Sequence, residues 1–462
     1  MKAKATALLL VFLLGILTAC GGGSGGGPTP NPPPSDPTSV KLYTYPNGAQ
    51  WIVAPPNTAI ALSDITIVAD SQEYTTTALQ DGSISYRFTV PNVRTVSVDY
   101  LLAGGGRKNI RPDVFDIADN ITHDFLTLGM APNDFVFFGG MCYVVNSMDN
   151  NLQVFNATDF SPAGGMTFPA GASPSYLFVR DGLGVVTCNG NNSVVAFNPD
   201  DGSELWSEEL PSGTLAFLGP GKPFADQDRI YVPLANIREF GQPGDSTLYD
   251  PAQLAVINIA STRLENIIDL NGLDAVDVIP IGGNQIAICQ AGDFSFDVNY
   301  SPFVFTSTFI DIYDLAEQEV SRTISLGVVG GGRMLYDEQR QRLLVGSLLE
   351  GRIYEISTET WLIEHGVLNP IDLSDDLTYV SSMAFMNGTL LAASFNEDLV
   401  YSLDAEDYTL GQWPLPEPLP LEQEALFLAG PQALRYDAAA NRLLILEGVA
   451  NRITAFKLPA LP

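Results

Sequence analysis

Histidine is nearly missing from this 462-residue chain, which has two, His123 and His365. Two imidazoles far apart in sequence leave little room for imidazole-based catalysis or metal chemistry. Positive charge is scarce as well: 22 Lys and Arg stand against 53 Asp and Glu, a formal net charge of −31. A field of that sign repels phosphate backbones, so no nucleic-acid partner is expected, and contact with anionic lipid heads is disfavoured too. The four cysteines, Cys20, Cys142, Cys188 and Cys289, form neither a CxxC pair nor a zinc spacing. There is no HExxH, no Walker A and no dinucleotide fingerprint before a helix. Gly22-Gly23-Ser24-Gly25-Gly26 satisfies G-x-S-x-G, but a nucleophile elbow needs a strand-to-helix turn, and this stretch lies in a Gly-rich run. These absences predict no catalytic residues and no enzyme. What is present, 46% hydrophobic and 10% aromatic residues, is enough to bury a large core.

The first forty residues read as an address. Lys2 and Lys4 precede an apolar run, Ala7–Leu17, which is too short for the roughly 20 residues of a spanning helix and has the form of a signal peptide. The ending Leu17-Thr18-Ala19-Cys20 resembles the lipobox of bacterial lipoproteins. That resemblance implies a signal peptide over 1–19, with Cys20 lipidated, palmitate included, as the new N-terminus. Gly21 stands where some inner-membrane lipoproteins carry Asp, so the outer membrane is the expected site within the cell envelope, periplasmic or surface-exposed. Residues 20–39 are mostly Gly, Pro, Ser, Thr and Asn, which cannot bury enough surface to fold and should act as a tether. The membrane is then a partner through the lipid anchor only.

Residues 40–121 predict a small β module. Val40–Tyr45, Gln50–Ala54, Ile65–Ala69, Ile84–Val90 and Thr95–Leu102 read as strands, with hairpin-type turns at Pro46-Asn47-Gly48 and Gln80-Asp81-Gly82. An immunoglobulin-like or transthyretin-like β-sandwich is expected, serving as a spacer or adhesive module.

From residue 122 to 462 one pattern recurs. An apolar strand centred on Val144, Val186, Tyr231, Ala287, Leu344, Leu391 and Leu444 returns every 42 to 57 residues, flanked by a preceding and a following strand. The expectation is an all-β fold, a seven-bladed β-propeller. The last repeat stops after three strands, and Phe125-Leu126-Thr127-Leu128 matches the missing fourth one. Strand 125–128 should therefore close the ring and hide both edges. Tyr143-Val144-Val145-Asn146-Ser147-Met148-Asp149-Asn150-Asn151-Leu152-Gln153-Val154-Phe155-Asn156 resembles the repeat of YVTN-type β-propeller proteins, with Pro174 and Pro431 where that repeat sets a proline before its inner strand. The resemblance implies the fold and an extracytoplasmic setting, and carries no common catalytic residues. The stretch around Trp206 resembles a quinoprotein repeat, but a single matching tryptophan argues against a quinone.

Two places could hold a site. The third and fourth repeats carry inserts, 236–251 and 291–308, in equivalent loops that emerge side by side. Phe240, Tyr249, Phe294, Phe296, Tyr300, Phe303 and Phe305 lie there, forming either a recognition surface for a protein or cell-surface polymer, or two caps packed on each other. Asp245, Asp250, Asp293 and Asp297 are weak candidates for calcium; no other cofactor is indicated. The second place is the central channel. Ser147, Asn189, Gln290, Ser347, Ser394 and Glu447 share one repeat position and should ring a mouth, with Arg333 and Asp134 on the inner strands. The alternative function is a channel-site lyase or hydrolase using carboxylates and a bound metal. The three cysteines beyond Cys20 lie in apolar runs and should be buried free thiols. Oligomeric state has no sequence signal.

Overall fold

The computed structural model describes residues 40–44, 50–54, 58–78, 82, 84–88, 93–116, 122–242, 244–297, 301–374, 379–410, 419–421 and 429–457. The signal segment, Cys20, the tether and Tyr300 fall outside these residues. Among the described residues every regular element is a strand.

The N-terminal module contains two four-stranded sheets. One is built from Lys41–Thr44, Gln50–Ala54, Ile84–Arg87 and Asp113–Asp116; the other from Asp64–Ala69, Gln72–Thr77, Val96–Leu101 and Arg107–Ile110. Strict alternation in Val96–Leu101 puts Val96, Val98 and Tyr100 on one face, where they join Ile52, Ile65, Ile67 and Ile84 in a single core. Lys41–Thr44 pairs in parallel with Asp113–Asp116, so the two ends of the module are stitched together.

Beyond it, among the described residues, antiparallel sheets follow one another along the chain. The first has Pro132–Phe138, Met141–Asn146, Asn151–Asn156 and Pro162–Thr167. Similar sheets span 174–209, 224–269, 275–327, 331–372 and 380–420. In the fifth, the fourth strand is split into Ile363–His365 and Ile371–Asp372. The seventh holds Pro431–Asp437, Arg442–Glu447 and Arg452–Lys457, and its fourth strand is Thr122–Thr127 from the other end of the region, with Ile453 opposite Leu126. All the anchor positions lie in second strands.

Packing explains why these strands are apolar on both faces. Each second strand is a middle layer: Leu183–Cys188 and Thr389–Ser394 are buried at every position. Cores form between successive sheets: Tyr143 and Val145 with Leu177 and Val186, Leu183 and Val185 with Ile230 and Val232, Ala287 and Ile310 with Leu343 and Val345. Leu126, Leu444 and Ile453 of the seventh sheet pack with Phe135, Val144 and Phe155 of the first. The outer strands are largely open to water, as the exposed pattern of Pro162–Thr167 and Glu204–Glu209 records.

Backbone turns repeat more faithfully than side chains. Ala131, Ser173, Gly219, Asp274, Gly330 and Gly430 all take a left-handed φ between 52 and 65° just before an inner strand or the turn leading to it. Non-glycine residues rarely adopt this conformation, and its recurrence marks the repeat where sequence similarity fades.

Candidate functional site

The first strands of the sheets border a channel. Neighbouring inner strands are latched by side chains that accept a backbone N–H from the next sheet. Leu177 N–H donates to Asp134 Oδ2 at 3.2 Å, Met334 N–H to Asp277 Oδ2 at 2.9 Å and Leu434 N–H to Ser382 Oγ at 3.0 Å. Each latch occupies a position where the strand bulges, at Pro132/Asp134, Ala275/Asp277 and Val380/Ser382, which turns one extra side chain inward.

A cavity of about 50 Å³ lies among these strands. Asp134, Lys222, Asp277, Arg333, Ser382 and Arg435 line it, drawn from six different sheets or the loops leading to them. Lys222 Nζ lies 3.6 Å from Asp134 Oδ2, and an Arg435 guanidinium nitrogen lies 3.6 Å from Asp134 Oδ1. Arg333 approaches Asp277 Oδ1 at 4.0 Å and stacks over Tyr176, with its Cζ 4.7 Å from the ring centroid. Burial, reinforced by the Arg435 guanidinium and opposed by Asp134, holds the Lys222 ammonium below its ordinary range. Three cations therefore face two carboxylates in a chain of strongly negative net charge.

Arg333 and Asp134 are thus in the channel, as the sequence suggests. Lys222, Asp277 and Arg435 were missed there. Asp277 interrupts an otherwise apolar inner strand, and Arg435 follows the apolar pair Ala433-Leu434; those interruptions are the readable signal. Lys222 precedes a two-residue strand, where no periodicity exists to betray it.

The expected rim lies elsewhere in its chemistry. Ser147, Gln290, Ser347, Ser394 and Glu447 are buried, so they do not form a ring open to water; Asn189 is half-buried. The three serine hydroxyls serve the fold: Ser147 Oγ donates to Pro174 O at 2.7 Å, Ser347 Oγ to Val329 O at 2.8 Å and Ser394 Oγ to Glu397 Oε2 at 2.6 Å. Gly272 N–H donates to Gln290 Oε1. Glu447 pairs with Arg452 at 2.7 Å and accepts from Thr454 Oγ1; burial outweighs both and pushes its carboxyl up to about 7. The sequence could not reveal this, because a polar residue after an apolar strand reads the same whether it meets water or a neighbouring carbonyl.

The two inserts form short hairpins, Ile237–Glu239 with Leu248–Tyr249 and Ser295–Phe296 with Pro302–Phe303. They dock on each other: Tyr249 OH donates to Phe294 O at 2.8 Å, Thr247 N–H to Ser295 Oγ at 2.9 Å and Gly244 N–H to Phe296 O at 2.9 Å. Phe240 tilts against Phe217, Phe294 meets Phe296 edge-on and Phe303 contacts Phe305. Phe240, Tyr249, Phe294, Phe296 and Phe303 are half-buried, while Phe305 is 68% exposed.

The four aspartates of the inserts serve separate ends. Asp293 Oδ1 accepts from the Phe305 and Thr306 amides, Asp297 from the Ser301 amide, and Asp250 pairs with Arg238 at 3.1 Å, while Asp245 is exposed. Among the described residues no three His, Cys, Asp or Glu side chains gather as a metal site would require. His365 is half-buried against Tyr408, with Nδ1 3.0 Å from Asn369 O.

No family model matches the chain, and no curated protein does. Solved structures do. A streptogramin B lyase structure aligns with 74% of this chain and 99% of its own, at 13% identity and a TM-score of 0.54. The β-propeller domain of Myceliophteria thermophila Cps50 (Swd1) aligns with 73% of this chain and 100% of its own, at 11% identity and a TM-score of 0.51. At such identities the likeness is one of fold, and the chain carries a β-propeller.

Proposed function

We propose that this chain is a lipid-anchored, extracytoplasmic seven-bladed propeller, preceded by a β-sandwich spacer and a flexible tether, that binds a protein or surface polymer through its paired inserts. The observation that carries the reading is the docking of the two hairpins: it fixes a platform of aromatic and acidic groups on a rigid base, with Phe305 left open to solvent. Loops held still by a scaffold lose little entropy on binding. The cations crowding the channel carboxylates support a binder over a metal-dependent lyase or hydrolase, since a divalent ion would meet Lys222, Arg333 and Arg435 there.

Cross-linking on intact cells followed by mass spectrometry tests both halves. Replacing 238–249 and 293–306 with tight turns should abolish capture of the partner while the ring still melts cooperatively. Cys20→Ala should release the protein from membranes. Undiminished capture by the shortened chain would remove the inserts from the interface.

A further inference from the structure

We propose that the channel cavity is a binding site for a small oxyanion, held by Lys222, Arg333 and Arg435 at the point where the inner strands converge. This goes beyond the partner surface and does not depend on it.

Unequal charge is the first reason. Three basic side chains, each half-buried, share the cavity with two carboxylates, an excess of one positive charge while Lys222 is protonated, although the chain as a whole is acidic. The Arg333 and Arg435 guanidiniums cannot shed a proton, and the Lys222 ammonium, which burial disfavours, is favoured by an anion beside it. The second reason is how the carboxylates are used. Asp134 Oδ1 accepts the Phe135 amide at 3.0 Å, its Oδ2 accepts the Leu177 amide, and Asp277 Oδ2 accepts the Met334 amide. Their ion-pair distances to the cations, 3.6, 3.6 and 4.0 Å, lie beyond hydrogen-bond range. Asp134 is therefore committed through both oxygens to latching the ring, whereas Asp277 latches through Oδ2 and leaves its buried Oδ1 without a hydrogen-bond partner. Arg435 already donates one bond, to Leu434 O at 2.7 Å, and Arg333 stacks on Tyr176; the Lys222 ammonium and the remaining guanidinium donors are half-buried, and an anion between them supplies charge and lone pairs together.

Size sets the ligand class. A cavity of about 50 Å³ admits a few waters or one small anion, but not a sugar ring or a nucleotide. Inorganic phosphate, sulfate and a short carboxylate share the required chemistry, and planar guanidiniums suit each of them.

Isothermal titration calorimetry on the full-length protein at fixed ionic strength, with phosphate, sulfate and acetate as probes, tests the site. One saturable event with any of the three is expected, the strongest response naming the geometry. Lys222→Met and Arg435→Met should each weaken it by about tenfold or more, whereas Arg263→Gln, on an exposed pair with Glu208, should leave it unchanged. Asp134→Asn keeps an acceptor for Leu177 but removes a competing charge, and should tighten binding several-fold. That variant decides the matter even if loss of a channel cation prevents folding. Absence of saturable binding to all three probes, or equal affinity in the wild type and Asp134→Asn, would overturn the assignment.

Discussion

Asp274 sits immediately before the inner strand of the fourth sheet, at a left-handed φ of 56°, close enough to the hairpin platform for its charge to bear on Tyr249. Burial pushes its carboxyl from 3.8 up to about 7, with no cation opposing the shift. The folded chain thus keeps this proton over a range where the unfolded chain has released it. The resulting stability is complete below pH 3.8 and is lost as the pH rises through about 7. Asp274→Asn, which tolerates the same backbone, should be more stable than the wild type at pH 8 by about 1–2 kcal/mol and should flatten the decline between pH 4 and 7. Urea unfolding at three pH values measures both; a parallel decline in the variant would show that another group is responsible. The cysteines follow the same physics without a functional consequence. Cys142, Cys188 and Cys289 are buried and free, and burial pushes the Cys188 thiol up to about 12. Thiolate chemistry is closed to it.

Among elements, the paired hairpins are the most directly testable. Tyr249→Phe removes one hydroxyl–carbonyl bond, worth about 1 kcal/mol, and should leave the rings of the platform in place. Hydrogen exchange should quicken at the Gly244 and Thr247 amides, which bond across to the partner hairpin, while the inner strands stay protected. Unchanged exchange there would mean that the hairpins are held by aromatic packing instead. The same elements show where sequence reading succeeds. The inserts and their adjacency were legible because two consecutive repeats lengthen at one position. Second strands were legible because apolar runs such as Leu343-Leu344-Val345 survive degeneracy, being packed from both sides. Gln72–Thr77 and Pro162–Thr167 escaped notice: lying at exposed edges, they need no apolar alternation, and their residues spell turns as readily as strands. The channel charges escaped for the opposite reason, since their meaning comes from six separate stretches converging on one cavity.

The whole molecule depends on its last seam. Thr122–Thr127 is held by Arg452–Lys457 over six paired positions, and Leu126 and Ile453 continue the core from the seventh sheet to the first. A proline cannot sit in that ladder, so Leu126→Pro should cost about 3 kcal/mol or more by removing both a strand bond and a packed side chain. Two bare strand edges would result, with Arg452–Lys457 free to recruit another chain. Light scattering after size-exclusion chromatography should show dimers or larger species beside a lowered melting temperature. A monomer of unaltered stability would mean that the ring does not need this strand.

The seam also fixes a timetable. Ala131 N–H donates to Asn451 Oδ1 at 2.8 Å, a bond between residues 320 positions apart. At about 5–20 residues per second of synthesis, the early half of the clasp waits roughly 16 to 64 seconds before its counterpart exists. Throughout that interval the nascent chain presents an orphan strand to every passing polypeptide.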